Sequence, residues 1–207
     1  MTMLFRGFSD PRTAQPVTIA AGIAIRRVLA DCLPDTAQLK IKWPNDIYCG
    51  DAKLAGILIE TTDASDGIAL IIGIGVNVNN AIDSETPGLT APVASCAGIA
   101  QREIDIIGLA GDVTDALACA VMKFRLDPDL DTVIDKYARV SYGIGSRIRI
   151  ADAVYFIAEK SAGAERLIKA DVIYGVERGI DAAGRLLLDN DDGLRLRVVS
   201  GTVRRTE

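Results

Sequence analysis

An α+β fold is predicted by three features of the 207-residue sequence. Apolar residues recur at helical spacing through Ile19, Ile23 and Leu29, and again along Ile104–Phe124. Between these stretches the pattern alternates. Leu39, Ile41 and Trp43 share one face and Lys40 and Lys42 the other, the two-residue period of a half-buried strand. Past Val140 the texture changes to short alternating strands divided by turns. The chain therefore separates into residues 1–139, which mix helices and sheet, and a small β-barrel over residues 140–207.

Met1–Phe8 is a short apolar run with one basic residue and reads as the end of a strand. After the turn-rich Ser9–Pro16, the helical spacing predicts a helix to Cys32, with Thr18 as its N-cap and Pro34 as its stop. The strand at Gln38–Trp43 is broken by Pro44-Asn45-Asp46. Ile47–Cys49 resumes extended structure, Gly50-Asp51 turns, and Leu54–Glu60 forms another apolar strand. Thr61–Gly67 reads as a polar loop, and Ile68–Val78 as a strand apolar on both faces, as at a sheet centre. Consecutive strands on short turns make an antiparallel meander. Residues 80–100, rich in Pro, Gly, Ser and Thr, read as a loop with one short helix. Helices follow at Ile104–Phe124, starting from Asp105, and at Leu130–Ala138, whose Asp-rich start suits the helix dipole. The barrel strands are Arg147–Ile150, Val154–Ile157, Leu167–Val176, Arg185–Leu188 and Leu194–Val199, with Phe156–Leu167 as an inserted polar loop.

Composition narrows the function. With 49% hydrophobic residues the chain can bury a core, and a net charge of -5 supplies no basic field for nucleic acid or anionic lipid. Four scattered cysteines without a CxxC pair point to neither a zinc site nor a disulfide framework, and fit a reducing cytoplasm. There is no histidine, which excludes His-based triads and proton shuttles. The first residues do not read as a secretory signal. The run Ile68–Val78 is shorter than the about 20 residues that a membrane helix needs. A soluble protein whose chemistry runs on Lys, Asp, Asn, Arg and backbone groups is expected.

Those residue types concentrate in Lys42-Trp43-Pro44-Asn45-Asp46, Lys53–Leu58 and Gly73–Asn77. Taken singly, a lysine beside a hairpin is usually a solvated charge, Asn-Asp after Pro is usually turn chemistry, and a tryptophan is usually core. Gly73–Asn77 is not GxGxxG, and no P-loop lysine follows it. Taken together, the cluster places a carboxylate, an amide and two ammonium groups on turns between neighbouring strands. Such a group suits an anionic substrate and its metal. Joining a carboxylate to the α-phosphate of ATP requires a fixed cation where charge develops, for which Lys53 is the candidate. Asp46 offers a hard oxygen ligand for Mg²⁺. Gly56 lets the backbone approach a flat ligand.

The ordered string KWPND, KLAGILIE and IGIGVNVN resembles the catalytic core of biotin protein ligases, and Tyr174–Gly193 resembles the SH3-like barrel that ends them. The pairing of KWPND with KLAGI belongs to the biotin rather than the lipoate branch of the superfamily. The resemblance implies a partial class II synthetase-like catalytic domain followed by that barrel. It also implies ATP- and Mg-dependent conversion of biotin to biotinyl-5'-AMP, with transfer to a lysine of a biotin carboxyl carrier protein. On this resemblance Lys53 would bind the biotin carboxylate and the phosphate. Asp46 would sit near the metal and the acceptor lysine, with Asn45 beside it. Gly56, Ile57 and Leu58 would line the biotin pocket, Asn77 would contact adenine, and Lys42 and Trp43 would support the same wall. Family members carry a Ser-Thr-Asn biotin contact and a GRGRxGR-type loop upstream of the segment matching Met1–Arg6. Neither occurs in this sequence. The resemblance thus implies that about the first half of the catalytic domain is missing, as is the optional DNA-binding domain. A homodimer is a further expectation, and the alternative function is an inactive remnant serving as a binding or dimerisation module.

Overall fold

The computed structural model describes residues 1–34, 39–81, 92–158 and 165–206. Five strands form one antiparallel sheet: β1 (Thr2–Phe8), β2 (Leu39–Lys42), β3 (Asp46–Cys49), β4 (Ala52–Ala64) and β5 (Gly67–Val76), in the spatial order β1-β5-β4-β3-β2. The predicted meander is β2 to β5, and β1 adds itself outside β5. Helix α1 (Ala14–Cys32) joins β1 to β2; α2 (Cys96–Ala100), α3 (Ile106–Leu126) and α4 (Leu130–Val140) follow the sheet. A closed barrel of β6 (Arg147–Ala158), β7 (Glu165–Ile180), β8 (Leu186–Asp189) and β9 (Arg195–Arg205) completes the chain. Part of the loop expected at residues 80–100 lies outside the described residues.

Helix α1 begins four residues before Thr18. Asp10 accepts from the Arg12 amide at 2.8 Å and opens a 3₁₀ turn that leads into the helix. Pro16 is accommodated because first-turn amides have no intrahelical partner to lose. Thr18 lies inside the helix and donates its hydroxyl to the Ala14 carbonyl at 2.8 Å. Thr61–Ala64, expected as loop, continues β4. These residues pair with β5 from Thr61↔Leu70 to Ala64↔Gly67, because backbone pairing extends past the point where the strand stops burying side chains. Gly67 is required there. It has φ +120°, and a Cβ would stand 2.5 Å from the Phe8 carbonyl oxygen.

The barrel strands are longer and fewer than the sequence pattern suggests. β6 runs unbroken through Asp152, at φ 51°, where its register with β9 shifts. The expected polar loop at Phe156–Leu167 is largely the arms of a hairpin. Phe156 pairs with Leu167 and Ala158 with Glu165, and only residues 159–164 fall outside the described set.

Two cores result. The first lies between one face of the sheet and helices α1 and α3. Val17, Ala21, Ile25 and Leu29 of α1 and Val113, Leu117 and Val121 of α3 are buried there with Ile57, Leu70 and Ile72 of the sheet. The second fills the barrel and extends out of it. Ile19, Ile41, Trp43 and Tyr137, all from before residue 140, are buried with Ile150, Leu186 and Val198.

A polar network crosses this second core. Glu177 of β7, 2% exposed, accepts hydrogen bonds from Ser141 Oγ at 2.5 Å and from Tyr137 Oη at 3.2 Å. Burial pushes its carboxyl above the ordinary glutamate value, against the two donors, which pull it down. The folded pKa is thus the higher one. The group's contribution to stability is complete below the unfolded value and is lost as pH rises through the folded one. Glu177→Gln should remove that loss. The melting temperature of the variant relative to the wild-type chain is expected to climb as pH rises above the ordinary glutamate value. A difference independent of pH would contradict this account.

Candidate active site on the open face of the sheet

Directly paired residues in an antiparallel ladder point to the same side, so the register decides what meets what. Asp46 pairs with Gly56 and Ile47 with Ala55, but Tyr48 pairs with Lys53, leaving Leu54 as an extra residue in β4. That bulge changes the parity of the strand. Ile47, Leu54, Ala55 and Ile57 belong to the first core. Asp46, Lys53 and Gly56 lie on the opposite face.

There Lys53 Nζ sits 2.7 Å from Asp46 Oδ1, with side chains 41% and 20% exposed. Gly56 is the floor beneath the pair, since a Cβ at that position would be 3.2 Å from both Asp46 Oδ1 and Lys53 Nζ. Across the ladder Gly56 faces Gly75, and Leu58 faces Gly73. A Cβ on Gly75 would meet nothing within 4 Å. The strand itself does not need glycine there, so the bare backbone is open to a flat ligand. Leu58, 59% exposed, borders this floor. The strand β5, expected to be apolar on both faces, carries Ala69 and Ile71 on this side as well, and gives way to Gly73 and Gly75 at the end beside the Lys53–Asp46 pair.

The other candidates divide. Asn45 is tied to β4, because its Nδ2 donates to the Ile57 carbonyl at 2.7 Å and its own carbonyl accepts from the Ile57 amide at 2.9 Å. Ile57 is 2% exposed and packs toward Gly22 of α1, on the side away from the floor. Asn77 follows β5 and donates its amide to the Leu54 carbonyl at 3.0 Å, which brings it beside the bulge. Lys53 is also held by its backbone, between Pro92 and Ala94 at 2.8 and 2.9 Å. Lys42 pairs with Asp46 on the open face; its Nζ donates to Tyr48 Oη at 3.1 Å and lies 4.6 Å from the Tyr48 ring centroid. Burial lowers the Lys42 pKa, and the Asp46 carboxylate opposes that shift. Trp43 is placed elsewhere. It is 2% exposed in the second core and donates Nε1–H to the Gly184 carbonyl at 2.9 Å.

Several neighbours were not signalled by the sequence. The rings of Tyr48 and Tyr142 lie 5.3 Å apart, Arg205 stacks 3.9 Å over Tyr142, and Tyr142 Oη donates to Asp51 at 2.6 Å. Burial, followed by the bond to Asp51, pushes the Tyr142 phenol up to about 12. This ledge brings the end of β9 to the edge of the face that bears Lys42 and Asp46. The 91 residues that separate Asp51 from Tyr142 hide it from any local pattern.

Among the described residues no three carboxylates or thiols converge as a metal site. Asp46 fits a different need. A divalent cation already held by phosphate oxygens takes one or two protein carboxylates, and Asp46 offers such a carboxylate on the open face, 20% exposed beside Lys53. A cleft of about 900 Å³ opens between α1, α3 and α4, but none of the residues from Lys42 to Asn77 lines it.

Residues 10–77 match the Biotin/lipoate A/B protein ligase family, and residues 166–204 match the Biotin protein ligase C terminal domain. The biotin--[acetyl-CoA-carboxylase] ligase of Paracoccus denitrificans is 29% identical over 195 residues, covering 93% of this chain and 74% of that protein. The bifunctional ligase/repressor BirA of Escherichia coli is 28% identical over 193 residues, 92% of this chain. The chain spans 53% of that relative's length. The fold is that of the Aquifex aeolicus biotin protein ligase solved in complex with biotin and ATP, at a TM-score of 0.75 and 19% identity over 99% of this chain and 77% of that one. With one family match on the sheet and its floor and the other on the barrel, the chain belongs to the biotin protein ligase family.

Proposed function

We propose that the chain carries the adenylate-forming face of a biotin protein ligase. It would activate biotin with ATP to biotinyl-5'-AMP and pass the biotinyl group to a lysine of a biotin carboxyl carrier protein. The observation that carries this reading is the Lys53–Asp46 pair over a glycine floor, within a chain of this family.

In the first step a biotin carboxylate oxygen attacks the α-phosphorus and pyrophosphate leaves, so two anions approach while charge builds on the phosphoryl oxygens. Lys53 Nζ supplies a fixed cation at that point. Its pair with Asp46 is partly exposed and worth little to stability, so the ammonium can turn to a ligand at low cost. Asp46 orients Lys53, and its carboxylate would hold Mg²⁺ carried by the triphosphate. Gly56, Gly73 and Gly75 would admit a flat ligand, Leu58 would give it an apolar contact, and Asn77 would contact adenine. Lys42, with its depressed pKa, adds a second cation next to Asp46. Asn45 and Ile57 fix the strand beneath. In the second step the carrier lysine would attack the acyl carbon and AMP would leave, with Asp46 as the carboxylate that would receive the amine's proton.

No helix among the described residues is long and apolar enough to cross a membrane. None of the four cysteines is in a disulfide, which suits a reducing cytoplasm. The outer edge of β1, beside Leu4 at 60% exposure, is where the expected homodimer would form.

Biotin-dependent exchange of pyrophosphate into ATP tests the reading. Lys53→Ala should lower exchange by about 100-fold or more while shifting stability by less than about 1 kcal/mol. Exchange at the wild-type rate would refute the role. Gly75→Val should leave the melting temperature within a few degrees of wild type and weaken biotin binding by about 10-fold or more in calorimetry. Undiminished binding would place the ligand off this floor.

A further inference from the structure

We propose that the barrel turn Asp181–Gly184 is a positioning element of the adenylation site, acting through Trp43; this rests on the ligase reading above. The turn is rigid in itself. Asp181 Oδ1 accepts from the amides of Ala183 and Arg185 at 2.9 and 3.0 Å, its Oδ2 accepts from Arg185 Nε at 2.7 Å, and the Gly184 amide donates to the Asp181 carbonyl at 2.9 Å.

It is also seated closely on the first part of the chain. Gly184 has φ +73°, and a Cβ there would be 3.1 Å from the backbone nitrogen of Pro16. Its carbonyl takes two donors from that part: Trp43 Nε1 at 2.9 Å and Gln15 Nε2 at 3.1 Å. A carbonyl oxygen has two lone pairs, so both are used.

From Trp43 the path to the reacting groups is short and stiff. Trp43 is fixed by burial with Ile19, Ile41 and Leu186. Two residues later, Asn45 grips both the amide and the carbonyl of Ile57, and the next residue is Asp46, paired with Gly56 and bonded to Lys53. A displacement of the indole is thus passed to the strand junction that carries the Lys53–Asp46 pair. Trp43 is accordingly a positioning residue, and the barrel is part of the apparatus that sets the geometry of the first chemical step.

The test uses the full chain with Trp43→Phe, which keeps an aromatic ring in the core and deletes one N–H donor, and Gln15→Met, which deletes the other donor without entering that core. Each variant should lower kcat of biotin-dependent pyrophosphate exchange by about 10-fold or more, with KM for biotin and for ATP within about twofold of wild type, since small misplacements of reacting groups act on the rate. Amide hydrogen exchange at Ile57 should quicken in both. Unchanged kcat together with unchanged Ile57 exchange would overturn the proposal. A wild-type chain without pyrophosphate exchange would count against the ligase reading alone. The Ile57 amide then decides the coupling: faster exchange in the variants supports it and an unaltered rate refutes it. If Trp43→Phe fails to fold, Gln15→Met decides by the same two readouts.

Discussion

Between Ile47 and Tyr48 the β3–β4 ladder gains one residue, Leu54, and that bulge decides on which side of the sheet Lys53 stands. In an unbroken strand Lys53 would share the face of Ala55 and Ile57, beneath α1, where an ammonium group would have to be desolvated. With the bulge, Leu54 takes a core position at 0% exposure and Lys53 emerges opposite Tyr48, on the face of Asp46 and Gly56. The ion pair, the floor below it and the backbone contacts of Lys53 to Pro92 and Ala94 all follow from this one change of parity.

The sheet can spare its open face because the other one is well covered. The first core joins α1 and α3 to the strands of the sheet, through side chains that are nearly all inaccessible. Glycines at Gly56, Gly73 and Gly75 forgo packing on the open side, at an intrinsic cost in strand stability, and leave backbone that a ligand can reach. Stability and access to ligand are thereby separated onto two faces of the same strands. The barrel does not hang from a linker. Trp43 and Tyr137 are shared with its core, and Glu177 is hydrogen-bonded to the end of α4.

Much of this organisation could be read from local pattern. The alternation at Leu39–Trp43 is β2 and its edge, Asp105 is the N-cap of α3 with its carboxylate on the Ile107 amide, and the turn beyond Ile180 closes the barrel hairpin. What escaped was set by partners distant in sequence. Polar Thr61–Ala64 gave no hint of strand because its pairing is satisfied by β5 backbone rather than by burial. Trp43 sits beside the functional string in sequence, yet its hydrogen-bond partner is 141 residues away. The string named Lys53, Asp46 and Gly56 as a group, but not the bulge that makes them neighbours, since a bulge leaves no periodic signal in so short a strand.

The most direct measurement is a crystal structure of this chain with a non-hydrolysable biotinyl-5'-AMP analogue. The account requires the ring system to lie over Gly56, Gly73 and Gly75, with Lys53 Nζ turned from Asp46 to the bridging phosphate. A ligand seated instead in the cleft between α1, α3 and α4, or a Lys53–Asp46 pair left intact with the analogue bound, would contradict it.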